Sequence, residues 1–277
     1  MINILTDSCS DLTRELIELN QIDVIRLPVF INNQTYYDGL DIEPLQLFSL
    51  VEKTGQLPKT SAPSVAELIK FFDRPGETIF IGIGSPLSAT YSNALIARQT
   101  LENKAIRVID SLNLSTGIGL LVLKAGDLRK KGLSAEKIEQ EIRDAIPKVH
   151  TSFVLDTLEY VYKGGRCSSI QMIVGSLLKI RPILEVRKDG TLGIREKIRG
   201  SRKSALDSML LDFKNHLPDL DPCRVFVTHT ACEEDAQYLA EELTRLAPIE
   251  NLYVTLAGST ISSHAGPRCI GILYSTK

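Results

Sequence analysis

The segment from Thr78 to Arg98 combines residue types that bind anions in proteins. It begins with the apolar run TIFIGIG, continues through a loop rich in glycine and hydroxyl groups, and ends in a helix-forming stretch. This pattern predicts a buried strand, a turn and a helix. The first N–H groups of such a helix lack partners, and its positive dipole end favours a phosphate or carboxylate. Ser88 could cap the helix, bind the anion or do both; a plain turn whose serines only cap is the alternative.

A histidine and two arginines are further candidates for binding chemistry. His264 is in the segment SSHAGP, which we interpret as a loop of small residues between two strands, where a histidine has little packing role. Arg166 and Arg199 each neighbour a glycine, which lets the backbone approach closely beside a guanidinium group. If these two arginines met at one anion, they would form a clamp for a phosphate or carboxylate.

Several common sites are excluded by the sequence. The segment GIGSPL lacks the third glycine of a dinucleotide fingerprint, no Walker lysine follows it, and no G-x-S-x-G nucleophile elbow occurs. The four histidines share no metal-ligand spacing and the five cysteines include no C-x-x-C pair, so we expect neither a metal site nor disulfides. A net charge of -2 gives no overall field that attracts nucleic acid.

The length and the hydropathy pattern indicate a globular protein. The chain has 277 residues, enough for one large domain or two ordinary ones. No apolar run approaches the ~20 residues that are needed to span a bilayer. The start, MINILTD, resembles a first strand rather than a signal peptide. We therefore expect a cytoplasmic protein without stable membrane insertion.

The first half of the chain alternates between strands and helices. Strands are predicted at Ile2–Thr6, at residues 78–84 and at Ile106–Asp110, each followed by a helix, which is typical of a parallel sheet covered by helices. Ligands of such sheets bind beyond the carboxyl ends of the strands. One crevice is therefore expected to gather Asp7-Ser8, Ser85–Ser88 and Asp110-Ser111.

After His150 the pattern changes. Two extended segments, Pro182–Arg187 and Thr191–Ile198, flank Asp189-Gly190, which is a strong hairpin signal. Further strands then alternate with long amphipathic helices. We expect an α/β protein of two domains, a parallel-sheet α/β domain over residues 1–155 and an α+β domain with a mixed, partly antiparallel sheet over residues 156–277.

Eight short segments, in this order, resemble the DegV family of bacterial fatty-acid-binding proteins over the whole chain. They are ILTDS at Ile4, KTSAPS at Lys59, LSATY at Leu87, VIDS at Val108, KGGR at Lys163, RPIL at Arg181, IRG at Ile198 and HAGP at His264. Each segment is short, and it is their common order that makes the resemblance specific.

The resemblance implies two α/β domains that bury one long-chain fatty acid between them, with no catalytic residue, cofactor or metal. The residues implied at the fatty-acid carboxylate are Thr60, Ser61, Ser88 and His264. The family presents the fatty acid to a separate ATP-dependent fatty acid kinase, and the acyl phosphate then enters phospholipid synthesis. Arg166 and Arg199 would lie near the head group or on the surface that docks the kinase.

The chain departs from the family pattern at two positions. Ala89 stands where the family usually has glycine, and Arg268 stands where a second glycine usually follows the histidine. Alanine fits if that residue is already helical, whereas Arg268 could add a charge near the head group. Burying the tail contributes roughly 0.8 kcal/mol per CH₂, so a dry tunnel should supply most of the affinity. Candidates for the tunnel wall, with an ordinary core as the alternative, are Val174, Leu177, Leu178 and Ile180.

Two other functions stay open at this point. Ser88 as nucleophile and His264 as base would make a hydrolase or phosphotransferase that acts on a lipid or phosphate ester. The basic residues between Arg195 and Lys203 would suit a nucleic-acid-binding regulator, although the acidic net charge argues against it.

Overall fold

The structure is a computed structural model that describes residues 1–102, 105–167 and 180–277. Its strands are β1 (Ile2–Asp7), β2 (Ile22–Ile25), β3 (Pro28–Ile31), β4 (Gln34–Tyr37), β5 (Lys59–Thr60), β6 (Glu77–Gly82), β7 (Ile106–Asp110), β8 (Val149–Val154), β9 (Ile180–Val186), β10 (Leu192–Arg199), β11 (Leu220–His229), β12 (Leu252–Leu256) and β13 (Ile270–Thr276). Its α-helices are α1 (Arg14–Leu19), α2 (Pro44–Thr54), α3 (Val65–Phe72), α4 (Thr90–Thr100), α5 (Thr116–Lys130), α6 (Ala135–Ala145), α7 (Glu159–Gly164), α8 (Arg202–Asn215), α9 (Glu233–Leu246) and α10 (Ser259–Ala265).

The described strands form three sheets. The first has the order β2-β1-β6-β7 and is parallel throughout. The second has the order β10-β9-β8-β13-β11-β12; its pairs are antiparallel except for β11 with β12. The third is a small antiparallel sheet, β4-β3-β5. The expected α/β fold class, with a parallel sheet followed by a mixed one, is confirmed.

One strand of the mixed sheet lies earlier in the chain than the predicted domain boundary. β8 precedes residue 155, and it pairs with β13 and β9. The division into residues 1–155 and 156–277 itself stays a prediction. In the described ranges, no helix is both long and apolar enough to cross a bilayer.

The hydrophobic core is continuous across the two large sheets because they share one helix. α5 contacts β1 and β6 of the parallel sheet as well as β8, β11 and β13 of the mixed sheet. Ile118 and Val122 in this helix are fully buried, and each such side chain contributes about 1.5–3 kcal/mol through burial. On the opposite face of the parallel sheet, Phe80 packs against Phe72 from α3 with ring centroids 5.4 Å apart.

The chain leaves the parallel sheet near Pro28 and enters the small sheet, so β2 and β3 are separate strands. One local prediction was wrong. The segment around His264, expected to be a loop, belongs to α10, whose first N–H groups are bonded by side chains from the distant N-terminal part of the chain.

Asp7 holds the loop that follows β6. This carboxylate is fully buried at the end of β1, where it accepts hydrogen bonds from Cys9 N at 3.0 Å and Ile83 N at 2.8 Å. Gly82 allows this approach, because a Cβ atom there would lie 2.7 Å from Asp7 Oδ2. Burial raises the pKa of Asp7 to about 6, although its backbone hydrogen bonds act in the opposite direction.

We expect Asp7→Asn to change how stability depends on pH. A carboxyl whose pKa is raised from 3.8 to about 6 in the folded state contributes stability below pH 3.8 that is lost as the pH rises through 6. The unfolding free energy of the wild type should therefore fall by on the order of 3 kcal/mol relative to the variant between about pH 4 and about pH 7. Urea unfolding followed by circular dichroism measures this difference, and parallel pH profiles for the two proteins would contradict it.

Candidate functional site

An apolar cavity of about 210 Å³, here called the inner cavity, is lined by residues that follow strands of both large sheets and by residues of the mixed sheet itself. Its apolar wall includes Ile83, Leu87, Phe153, Leu155, Leu192 and Leu273. This wall suits a hydrocarbon group, because transfer of apolar surface out of water is favourable.

Some hydroxyl and amide side chains in or beside this wall are bonded within polar clusters of the protein. Thr151 Oγ1 donates to Asn113 Oδ1 at 2.8 Å. The hydroxyl oxygen of Thr228 lies 2.7 Å from that of Thr116 and 2.9 Å from that of Thr255. Because these hydroxyls have partners, an apolar ligand would not leave them unsatisfied.

At one end of the inner cavity, two predicted site residues are hydrogen-bonded to each other. Thr60 Oγ1 lies 2.7 Å from His264 Nε2. Thr60 belongs to β5, and its position is fixed by pairing with Val29 of β3. His264 is near the end of α10. The predicted residues that the structure brings together in the cavity wall are Thr60, Ser61, Ser88, Arg166 and His264.

A second cavity, here called the outer cavity, adjoins the first at this end. It measures about 670 Å³ and shares Thr60, Arg166 and His264 with the inner cavity. Lys59 and Lys163 also line it, and Lys163 is paired with Glu159 at 2.7 Å, so Lys59 and Arg166 provide most of its positive charge. A group bound at Thr60 and His264 would thus face an apolar interior on one side and a cationic space on the other.

His264 is a neutral imidazole in this setting. Burial, assisted by the positive charge of Arg166, lowers its pKa to about 4. Its Nδ1 is buried and has no hydrogen-bond partner among the described residues. An unpaired lone pair costs less than an unpaired N–H group, so we assign the proton to Nε2, which donates to Thr60. The hydroxyl hydrogen of Thr60 is then free to donate to a ligand oxygen.

The expectation that His264 has little packing role was wrong. A Cβ atom at Gly164 would lie 2.6 Å from His264 Nδ1, so α7 can pack this closely against the imidazole only because it carries a glycine there. The KGGR segment thus has a structural role, since its first glycine leaves space for the imidazole ring of His264.

Ser88 lies two residues before α4 and bonds to its first turn. Its Oγ accepts a hydrogen bond from Thr90 N at 3.2 Å and lies 2.9 Å from Thr90 Oγ1. Ala89 is the N-cap residue and has φ -74°, which is ordinary for alanine, so the departure from the family pattern needs no adjustment. Ser88 therefore satisfies a backbone donor and lines the inner cavity at the same time.

The expected convergence of strand ends is only partly found. Ser88 reaches the inner cavity, but Asp7 and Asp110 do not line it. They support the loop instead: Asp7 accepts from Ile83 N, and Asp110 Oδ1 accepts from Ser85 N at 3.0 Å.

The two candidate arginines are not brought together. Arg166 lines both cavities and its Nε donates to Leu87 O at 3.5 Å. Arg199 is exposed at the end of β10 and lines neither cavity, so no clamp around one anion is formed. Arg268 is exposed as well; its backbone φ of 59° explains why glycine suits this position.

Ile180 is the one predicted tunnel residue that lies among the described residues. Ile180 begins β9 but does not line the inner cavity. Val174, Leu177 and Leu178 lie outside the described residues. Among the residues that the structure covers, no group of three His, Cys, Asp or Glu side chains could hold a metal ion.

The structure thus has an α/β architecture, with a parallel and a mixed sheet around an apolar cavity and a hydroxyl–imidazole pair in the cavity wall. A family model described as "Uncharacterised protein, DegV family" matches residues 1–277. A DegV domain-containing protein of Caldanaerobacter subterraneus is 34% identical over 281 residues, covering 100% of this chain and 99% of that relative. The chain therefore belongs to the DegV family, as the eight segments suggested.

Solved structures agree with this assignment. A DegV family protein from Thermus thermophilus, described in terms of its fatty acid binding, is 27% identical and superposes with a TM-score of 0.93, covering 100% of this chain and 99% of its own. DegV of Bacillus subtilis, described as a fatty acid binding protein, is 31% identical with a TM-score of 0.90 and the same coverage. The fold of the family is thus shared over the full length.

We expect the charge of Arg166 to affect the titration of His264. In Arg166→Gln the pKa of His264 should rise above 4 but stay below 6.5, because burial is the larger cause of the shift. An NMR pH titration of the histidine Cε1–H signals measures this. His150, whose pKa is lowered by burial and by His216, is an internal control that should not move. An unchanged His264 titration would contradict the assigned role of Arg166.

Proposed function

We propose that this protein is a cytoplasmic carrier that binds one long-chain fatty acid and presents it to a separate ATP-dependent kinase. The acyl chain occupies the inner cavity, between the parts formed by residues 1–155 and 156–277, and the carboxylate lies at Thr60 and His264. The observation that carries this proposal is the Thr60–His264 pair at the border between an apolar cavity and a cationic one. The fatty acid binding described for the relatives from Thermus thermophilus and Bacillus subtilis supports it.

The chemistry of the wall suits an amphiphile with one anionic end. Each CH₂ group that leaves water contributes roughly 0.8 kcal/mol, so the tail supplies most of the affinity. A buried carboxylate is unfavourable without hydrogen bonds. The hydroxyls of Thr60, Ser61 and Ser88, with the nearby guanidinium of Arg166, are the groups that line this end and compensate for its desolvation.

The outer cavity gives the carboxylate a route to a kinase. In the proposed reaction a carboxylate oxygen attacks the γ-phosphorus of ATP, the bond to the ADP oxygen breaks, and the acyl phosphate remains on the carrier. The kinase supplies ATP and the catalytic groups, and no residue of this chain is catalytic. Lys59 and Arg166 line the outer cavity and would attract the phosphates of ATP towards it, whereas Lys163 is paired with Glu159. Arg199, exposed at the end of β10, belongs to the proposed docking surface.

The hydrolase alternative is less well supported by the hydrogen bonds. A Ser–His mechanism needs the serine hydroxyl bonded to the imidazole. Ser88 is instead bonded to Thr90, and His264 to Thr60.

The nucleic-acid alternative is weakened by ion pairing of the basic cluster. Arg195 pairs with Asp212, Arg202 with Asp235 at 2.6 Å, and Lys203 with Asp207 at 3.0 Å. These carboxylates reduce the positive charge that phosphates would meet.

We expect Thr60→Val to weaken fatty acid binding while leaving the wall shape nearly unchanged. Loss of one hydrogen bond to a charged group should lower affinity by about tenfold. Mass spectrometry of organic extracts identifies the bound acid, and displacement of a fluorescent fatty acid gives the affinity. Thr100→Val is a matched control, since Thr100 is exposed on α4, away from both cavities, and its hydroxyl donates to Ile96 O.

Two results would contradict this proposal. One is the absence of any long-chain acid in extracts of several wild-type preparations, together with no measurable binding of added acid. The other is ester hydrolysis by the wild type that Ser88→Ala abolishes, which would instead support the hydrolase.

We expect Arg199→Ala to reduce acyl phosphate formation without reducing fatty acid affinity, because Arg199 lines neither cavity. Formation of acyl phosphate from labelled ATP by a bacterial fatty acid kinase, measured against carrier concentration, should show an increased KM for the carrier. Arg14→Ala removes another exposed arginine, on α1, and is the control. Equal rates for Arg199→Ala and the wild type would exclude Arg199 from the docking surface.

A further inference from the structure

α10 carries His264 but cannot define its own position. It has seven residues, Ser259–Ala265, and its N-cap residue, Gly258, has no side chain that could accept a hydrogen bond. Isolated helices shorter than ~12–15 residues are marginal in water. The place of His264 therefore depends on the groups that hold the ends of this helix.

Two buried carboxylates hold the N-terminus of α10. Gly258 N donates to Asp11 Oδ1 at 2.8 Å, and Ser259 N donates to Asp38 Oδ1 at 2.6 Å. Asp11 is 6% exposed and Asp38 is 1% exposed, so water does not compete for these bonds. Burial raises the pKa of both carboxyl groups, so it is these hydrogen bonds that hold the helix terminus.

Gly258 is the residue that makes this arrangement possible. A Cβ atom there would lie 2.8 Å from Asp38 Oδ1 and 3.2 Å from Asp11 Oδ1. Any side chain would push at least one carboxylate away. The hydrogen bonds of Asp11 and Asp38 to the start of α10 therefore require a glycine at position 258.

The small sheet holds α10 at two points. Asp38 directly follows β4, Thr60 lies in β5, and both strands pair with β3. Asp38 bonds to the first residue of α10, whereas Thr60 bonds to His264, five residues or about 7.5 Å further along the helix. Asp11 adds a third tie, because its Oδ2 accepts from Ser115 Oγ, just before α5, at 2.6 Å.

We propose that Asp11 and Asp38 are positioning residues for His264. By fixing the N-terminus of α10 against the small sheet, they place the imidazole where it bonds to Thr60 and keep it away from water. Their effect on fatty acid affinity rests on the proposed function, but their effect on His264 does not. The titration of His264 therefore tests the proposal even without a ligand.

The test compares Asp38→Ala with Asp38→Asn and Asp127→Ala. In Asp38→Ala the N-terminus of α10 loses its acceptor, so the pKa of His264, about 4 in the wild type, should rise towards 6.5, and affinity for a fluorescent fatty acid should fall about tenfold. In Asp38→Asn the amide oxygen can still accept from Ser259, so both quantities should return close to wild type. Asp11→Ala should raise the pKa of His264 and lower the affinity, as Asp38→Ala does. If Asp38→Ala does not fold, Asp11→Ala serves as the test variant.

Asp127→Ala is the control for a general loss of stability. Asp127 in α5 bonds to Arg224 in β11 at 2.6 Å, so its removal breaks another tie between elements without touching α10. It should lower the unfolding temperature but leave the His264 pKa unchanged and the affinity within about twofold.

The proposal is overturned if Asp38→Ala and Asp11→Ala lose stability as Asp127→Ala does and yet keep the wild-type titration of His264. Failure of the wild type to bind any fatty acid would refute the proposed function instead. In that event a raised His264 pKa in the alanine variants would still establish the positioning role.

Discussion

The hydrogen bond between Thr60 and His264 joins residues 204 positions apart, and it can form only where separately built parts of the fold meet. β5 must pair with β3 to present the threonine, and α10 must lie against the small sheet to present the imidazole. Gly164 of α7 must leave room for the ring. The bond contributes little free energy by itself, so its geometry follows from the packing around it.

Most of that packing energy comes from apolar layers rather than from polar contacts. α5 is covered by the parallel sheet and by the mixed sheet, and its buried aliphatic residues make the two sheets parts of one core. Polar ties such as Asp7 to Ile83 N and Asp11 to Gly258 N then fix the loops and helix ends around the cavity. Burial of apolar side chains thus stabilises the fold, and hydrogen bonds to buried carboxyl groups position the loops and helix ends around the cavity.

The sequence predicted those elements whose signals are local. The strand–helix alternation of the first half and the hairpin at Asp189-Gly190 were confirmed, because apolar periodicity and turn residues determine them. α10 was missed, since its serines have weak helix propensity and the acceptors for its first N–H groups lie more than 200 residues away. The meeting of Thr60 with His264 was available only through the family resemblance, because no local pattern encodes so distant a contact.

The protonation of His264 has a consequence for reactivity. Under the proposed function, a neutral imidazole that donates its N–H to Thr60 would leave the carboxylate facing hydroxyl donors and the guanidinium of Arg166, with no direct ion pair to a histidinium. An anion held mainly by hydroxyl donors keeps more of its electron density than one paired with a histidinium. The proposed site would therefore orient a carboxylate and still leave it a competent nucleophile.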